Sequence, residues 1–112
     1  MHRAHPVPVG WPDRLAPSTV VCRCEEVSAA AIDRAVRELG ATDGRGVKLF
    51  ARPGMGWCQG RTCGPATAAL TARACGRAAT ADDLLAFAHR PFALPVRLAD
   101  LASLDEPPPD GA

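Results

Sequence analysis

Two stretches decide how this chain is read: Val21-Cys22-Arg23-Cys24-Glu25-Glu26-Val27, and Gly54-Met55-Gly56-Trp57-Cys58-Gln59-Gly60-Arg61-Thr62-Cys63-Gly64. They hold four of the five cysteines as two tight pairs, C-x-C and C-x₄-C, with 33 residues between the pairs. In a reducing setting, closely spaced thiols are metal ligands or redox groups before they are structural disulfides. An odd count of five also fits poorly with a closed disulfide set. The expected fold is a small, mainly α domain of three or four short helices. It has cluster-binding loops at helix N-termini and little or no sheet.

Working outward from the cysteines, Thr19-Val20-Val21 is a short β-prone run leading into Cys22. Ser28 is a good helix N-cap, because its hydroxyl can accept from a free N–H of the first turn. Ile32, Ala35, Val36 and Leu39 then recur at helical spacing and predict a helix from about Ala29 to Leu39, stopped by Gly40. Residues 41–64 are glycine-rich and lack a helical pattern, and Val47-Lys48-Leu49-Phe50 is expected to be briefly extended. Pro65 suits a first helical position and opens a second, alanine-rich helix running to about Cys75 and stopping at Gly76. Thr80-Ala81-Asp82-Asp83 is a capping-box variant announcing a third helix, with Leu84, Leu85, Phe87 and Ala88. Pro91 to Pro95 is expected to be extended, and Leu98 to Leu104 to hold one or two last helical turns. The expected organisation is an extended N-terminal arm over 1–18, a metal-binding domain over 19–104 and a disordered tail over 105–112.

The balance of the remaining residues excludes several classes. The chain has 112 residues, enough for one small domain. A core this size often needs a staple such as a metal site. Net charge is +1 and there is no Tyr, so neither nucleic acid nor an anionic membrane is expected as a partner. The N-terminus shows no apolar leader and no stretch is long enough to span a membrane, so a cytoplasmic location is expected.

The cysteine spacing excludes the common metal sites. Structural zinc sites favour C-x₂₋₄-C pairs, and C-x-C is tight for one tetrahedral ion. Plant-type ferredoxins need a third cysteine where Ala66 stands, and the bacterial C-x₂-C-x₂-C run is absent. A Rieske centre needs two histidines, and His2, His5 and His89 are not suitably placed. A four-thiolate binuclear cluster and a less common zinc site remain. Each cysteine pair precedes a helix start. Two helix N-termini aimed at one site would favour an anionic cluster. Gly54, Gly56, Gly60 and Gly64 would let backbone amides approach sulfur. Gly54-x-Gly56 is no dinucleotide fingerprint, since the next glycine falls one position late.

These motifs, with Val47-Lys48 between them, Pro65 after them and Arg90-Pro91-Phe92 and Leu94-Pro95-Val96-Arg97-Leu98 beyond, resemble the bacterioferritin-associated-ferredoxin-like [2Fe–2S]-binding domain. The likeness covers about residues 19–100. It is to the version found at the C-terminus of FAD-dependent opine, D-hydroxyproline and cyanide-forming amino-acid dehydrogenase subunits. The resemblance implies that Cys22, Cys24, Cys58 and Cys63 hold a [2Fe–2S] cluster. It also implies that the domain passes single electrons to or from a flavoprotein (FAD) dehydrogenase subunit. No flavin or nucleotide domain is visible here, so the dehydrogenase activity is not carried over and no residue is expected to be catalytic. The rival partner is a bacterioferritin whose stored iron is reduced. The rivals from other classes are a Cys₄ zinc module and a dithiol switch.

Around the ligands, Trp57 would shield the cluster, dock a partner or simply pack under its loop. Arg23, Lys48, Arg52 and Arg61 would offset cluster charge, steer an acidic partner or be ordinary surface charge. Glu25 and Glu26 would complement a helix dipole. Cys75 lies twelve residues past Cys63, roughly 18 Å along a helix. It is expected to be a small buried residue outside the site.

Overall fold

The computed structural model describes residues 6–8, 10–87 and 97–102. Its elements are a two-strand hairpin, β1 (Val20–Cys22) and β2 (Val27–Ser28), followed by α1 (Ala29–Arg37), α2 (Gly44–Ala51), α3 (Gly64–Ala74), α4 (Ala81–Leu85) and α5 (Leu98–Ala102). The domain is mainly α, as expected. The hairpin is antiparallel, pairing Val20 with Ser28 and Cys22 with Val27. Residues 23–26 are its turn, and Glu26 adopts a positive φ of 51° there.

Local chemistry sets the helix starts. Ser28 Oγ accepts from the Ala31 N–H at 3.2 Å and caps α1. Helix α1 ends at Arg37, two residues short of the expected Leu39, and Leu39 is half exposed. Thr80 and Asp83 form the reciprocal capping box of α4. Arg77 grips Asp83 with two nitrogens, at 2.6 and 2.8 Å. The guanidinium, with the Thr80 N–H, holds the Asp83 carboxyl well below the usual carboxylate range.

Helix α2 corrects the expectation of an extended segment at Val47–Phe50. Asp43 Oδ1 accepts from the Gly46 N–H at 2.7 Å and caps it. Gly44 and Gly46 in the first turn lower intrinsic helix propensity. Tertiary packing overrides this, because Val47 is completely buried. Gly44 is itself required. A Cβ there would overlap the Phe87 ring.

The core is small. Ile32, Val47 and Leu70 are its main aliphatic members, with Cys22, Val27, Ala29, Ala35, Ala41 and Cys63 around them. Helix α3 packs on α1, and α2 contacts both. The small residues of α3 permit this close approach. Its two buried hydroxyls, Thr67 and Thr71, donate to the carbonyls one turn back, Cys63 O and Thr67 O, at 2.9 and 2.8 Å. No buried donor is wasted there.

The expected N-terminal arm is not extended throughout. Trp11–Arg14 forms a 3₁₀ helix, with Pro12 at its start. Trp11 and Leu15 pack against the core. Arg73 of α3 donates to Pro12 O and Asp13 Oδ1. Apolar burial and this cationic tether join residues 11–15 to the domain. Ala88, His89, Pro91–Pro95, Leu104 and the 105–112 tail lie outside the described residues, as do His2 and His5.

Candidate metal centre

The hairpin turn delivers the first cysteine pair. Cys22 ends β1 in the core, and Cys24 stands two residues on at the surface. The second pair comes from a run of turns between α2 and α3. Arg52 closes α2 in the left-handed region, at φ 66°. Gln59 N donates to Gly56 O, Arg61 N to Cys58 O and Gly64 N to Gly60 O, at 2.8, 3.0 and 2.7 Å. Cys63 is the N-cap residue of α3, and its sulfur makes no cap bond. Glu26, Arg52 and Gln59 are the non-glycine residues with positive φ among the described residues. All three lie beside these cysteine loops, where backbone strain is held in place by the surrounding structure.

The four thiols meet across the two motifs. Cys22 faces Cys63, and Cys24 faces Cys58. The charge of Cys58 is also felt at Cys63, so the two pairs adjoin. Among the described residues, no three His, Cys, Asp or Glu side chains gather round a single ion. Two adjoining pairs match the division of ligands in a two-iron cluster, two thiolates to each metal.

The backbone around the sulfurs is a donor cage. Burial pushes the Cys22 thiol up. The N–H groups of Gly54, Glu25 and Cys24, with the Cys63 thiol, outweigh that and leave Cys22 below its ordinary value. Burial, the neighbouring Cys22 thiol and the charges of Cys22 and Cys58 push Cys63 the other way, to about 11. Within this pair Cys22 gives up its proton before Cys63. Cys58 is lowered to about 7, by the N–H groups of Thr62 and Gly60 and then by the Thr62 hydroxyl and the Cys24 thiol. Amides that stabilise a thiolate also stabilise the negative charge of a thiolate-bound metal.

Glycines make the cage possible. Gly54 reaches both Cys22 and Cys63 with its N–H. It does so at φ 76°, and a Cβ there would stand 3.2 Å from Gly60 Cα. A Cβ at Gly56 would overlap the Cys24 Cβ and lie 2.8 Å from its sulfur. The expectation of close amide approach therefore holds at Gly54 and Gly60.

The expectation of two helix N-termini aimed at one site changes. The first N–H groups of α1 are already taken. Ala29 N donates to Thr19 O, Ala30 N to Pro17 O and Ala31 N to Ser28 Oγ. Only α3 begins at a cysteine, and loop amides supply the donors instead.

Three further expectations are decided by exposure or by an ion pair. Trp57 is 100% exposed, so it neither shields the thiols nor packs under its loop. Cys75 is exposed, not buried; its thiol lies 3.7 Å from Thr42 O, away from the other four. Arg52 bonds Glu25 at 3.2 Å, so this pair neutralises itself beside Cys24. Phe87 joins the site without being expected there. Cβ atoms on Gly54 and Gly64 would each lie within 3.4 Å of it, so its ring braces the cluster loop and the start of α3. Its signal in the sequence is modest: the one aromatic of the α4 segment, just past two leucines.

Residues 20–73 match the BFD-like [2Fe-2S] binding domain. This part of the chain belongs to that family. Its cofactor is a [2Fe–2S] cluster, and the four thiols and their amide cage fit that group. Among similar proteins, an opine oxidase subunit of Agrobacterium tumefaciens (strain Ach5) is 42% identical over 89 residues, 80% of this chain and 17% of the relative. The corresponding opine oxidase subunit of Rhizobium meliloti is 40% identical over 90 residues, 80% of this chain and 16% of the relative. Hydrogen cyanide synthase subunit HcnB of Pseudomonas aeruginosa is 53% identical over 45 residues, 40% of this chain and 10% of the relative. The chain thus spans less than a fifth of the length of these relatives. No solved structure matches it. Among the described residues, no helix is long and apolar enough to cross a membrane.

Proposed function

We propose that this BFD-like domain is the one-electron carrier of an oxidoreductase, with Cys22, Cys24, Cys58 and Cys63 as cluster ligands. Its redox partner in this reading is a flavoprotein dehydrogenase subunit. The observation that carries the proposal is the meeting of four thiols from two loops as two adjoining pairs inside a cage of backbone N–H groups. Cys22 and Cys63 would hold one metal, and Cys24 and Cys58 the other. The cluster supplies reversible one-electron storage. The chain supplies everything that tunes it. Buried Cys22 and Cys63 exclude water from one half, and the N–H groups of Gly54, Gly60 and Thr62 offset negative charge on sulfur. The relatives named as subunits of opine oxidase and hydrogen cyanide synthase support a dehydrogenase partner over a ferritin. No residue of this chain acts as acid, base or nucleophile in the proposal.

Metal and spectral analysis tests it. Protein purified without oxygen should be brown, carry about two irons per chain and give an electron-spin signal on one-electron reduction. Each of the four single Cys→Ser variants should lower the iron content. A colourless protein holding one zinc per chain would overturn the reading.

A further inference from the structure

Helix α4 lies beyond residues 20–73, the segment that matches the family. It is heavily reinforced for so short a helix. The Thr80–Asp83 capping box fixes its start. Arg77 grips Asp83 and also reaches Thr42 O at 3.4 Å, which ties the clamp to the chain just before α2. Yet α4 buries none of its own residues and contributes no member to the hydrophobic core. Leu84 and Leu85 are each nearly half exposed. What α4 delivers to the rest of the molecule is the residue two places past its end, Phe87.

The Phe87 ring sits in a seat of three glycines from three elements. A Cβ on Gly44, the first residue of α2, would overlap Cε2 of the ring. A Cβ on Gly54, in the cluster loop, would lie 3.4 Å from Cε1 on the opposite edge. A Cβ on Gly64, the first residue of α3, would lie 3.1 Å from the Phe87 Cβ and Cγ. Bare backbone therefore meets the ring on both edges and at its root. Glycine is a poor helix former, and two of these three open helices. Close contact with one ring gives them a reason to be there. Gly54 is the member of the seat that touches the site, since its N–H reaches both buried sulfurs.

We propose that Phe87 is a positioning residue of the metal centre: seated among Gly44, Gly54 and Gly64, it holds the Gly54 N–H on the sulfurs of Cys22 and Cys63 and thereby sets the reduction potential of the bound cluster. The inference rests on the electron-carrier reading above. An N–H aimed at sulfur favours the reduced, more negative state over the oxidised one. Gly54 stands at φ 76° and has no side chain of its own to anchor it. The ring supplies the missing restraint, and without it the amide is free to turn away.

The test compares the full cluster-loaded chain with Phe87→Ala, Gly44→Ala and the variant carrying both. In a redox titration the Phe87→Ala potential should move to a more negative value. At the wild-type midpoint its ratio of reduced to oxidised cluster should fall about threefold or more, a part of what one hydrogen bond to a charged group supplies. Gly44→Ala should shift the potential the same way, because its new Cβ displaces the ring. In the double variant the two shifts should not add, since the Cβ takes space the ring has left. Ser28→Ala, which weakens the α1 cap instead of the seat, should keep the wild-type potential. In metal-free protein the Gly54 amide should exchange its hydrogen about tenfold or more faster in Phe87→Ala than in wild type, read by nuclear magnetic resonance. Where Phe87→Ala does not fold or keep its cluster, Phe87→Leu carries the same two readouts with smaller shifts. An unchanged potential, additive shifts, an equal shift in Ser28→Ala or unchanged Gly54 exchange would each overturn the proposal. Wild-type protein that binds no iron would overturn the carrier reading and the claim on potential, and Gly54 exchange would still decide the placement of the amide.

Discussion

Cys22 and Cys63 rest in the hydrophobic core, whereas Cys24 is exposed and Cys58 half-buried in the loops on the other side of the site. The side-chain type is the same and the environments are opposed. Each motif contributes one cysteine to each half, so the site is sewn across the two loops. The buried half is part of what holds β1, α1 and α3 together. The exposed half is where another molecule can come close. The contrast teaches that one candidate site can be tied into the core at one end and open to solvent at the other, because its two ends meet different surroundings.

The sharpest way to break this comparison is to remove one thiol from each half. Cys22→Ser should abolish cluster retention and also lower the melting temperature of the protein. Cys24→Ser should reduce iron content with a smaller loss of thermal stability. Equal losses in iron assays and melting curves would remove the distinction. Next in size is Gly56→Ala. Its new Cβ would overlap the Cys24 side chain. Cluster absorbance per chain should fall severalfold while far-ultraviolet circular dichroism stays unchanged.

A milder probe sharpens the contrast without mutation. In metal-free protein, alkylation by iodoacetamide reports the thiolate fraction. Cys58, lowered to about 7, should reach half its maximal rate near neutral pH. Cys63, pushed up to about 11 and buried, should stay nearly unreactive until the solution is strongly alkaline. The sign follows from the charged form: depressing the value makes the reactive anion available at lower pH. Peptide mapping of the alkylated sites against pH would decide it. The smallest effect concerns the scaffold. Asp43→Ala removes the α2 cap and should cost about 1 kcal/mol in denaturant unfolding, with cluster content unchanged.

Much of the scaffold is legible because its signals are local. Ser28, Pro65 and the Thr80–Asp83 box each act within one turn of the chain, so residue type and spacing state them outright. Helix α2 is not, since its two early glycines argue against a helix and its stability comes from burying Val47 against other elements. Asp43 is the one readable clue. The donor role of α1 departs from expectation for a similar reason. Its free N–H groups are visible in principle, but Pro17 and Thr19 claim two of them only once the chain has folded back. The exposure of Trp57 and the bracing role of Phe87 likewise depend on what surrounds them.

By itself, the order of residues determined the candidate thiols, their spacing and most helix starts, because cysteine clustering and capping act over a few residues, and the family likeness of those motifs named the cofactor. Only the tertiary structure decided how the thiols pair across loops, which pair faces water and which amides point at sulfur. Those properties belong to segments that lie 33 residues apart in the chain and meet only when the core forms.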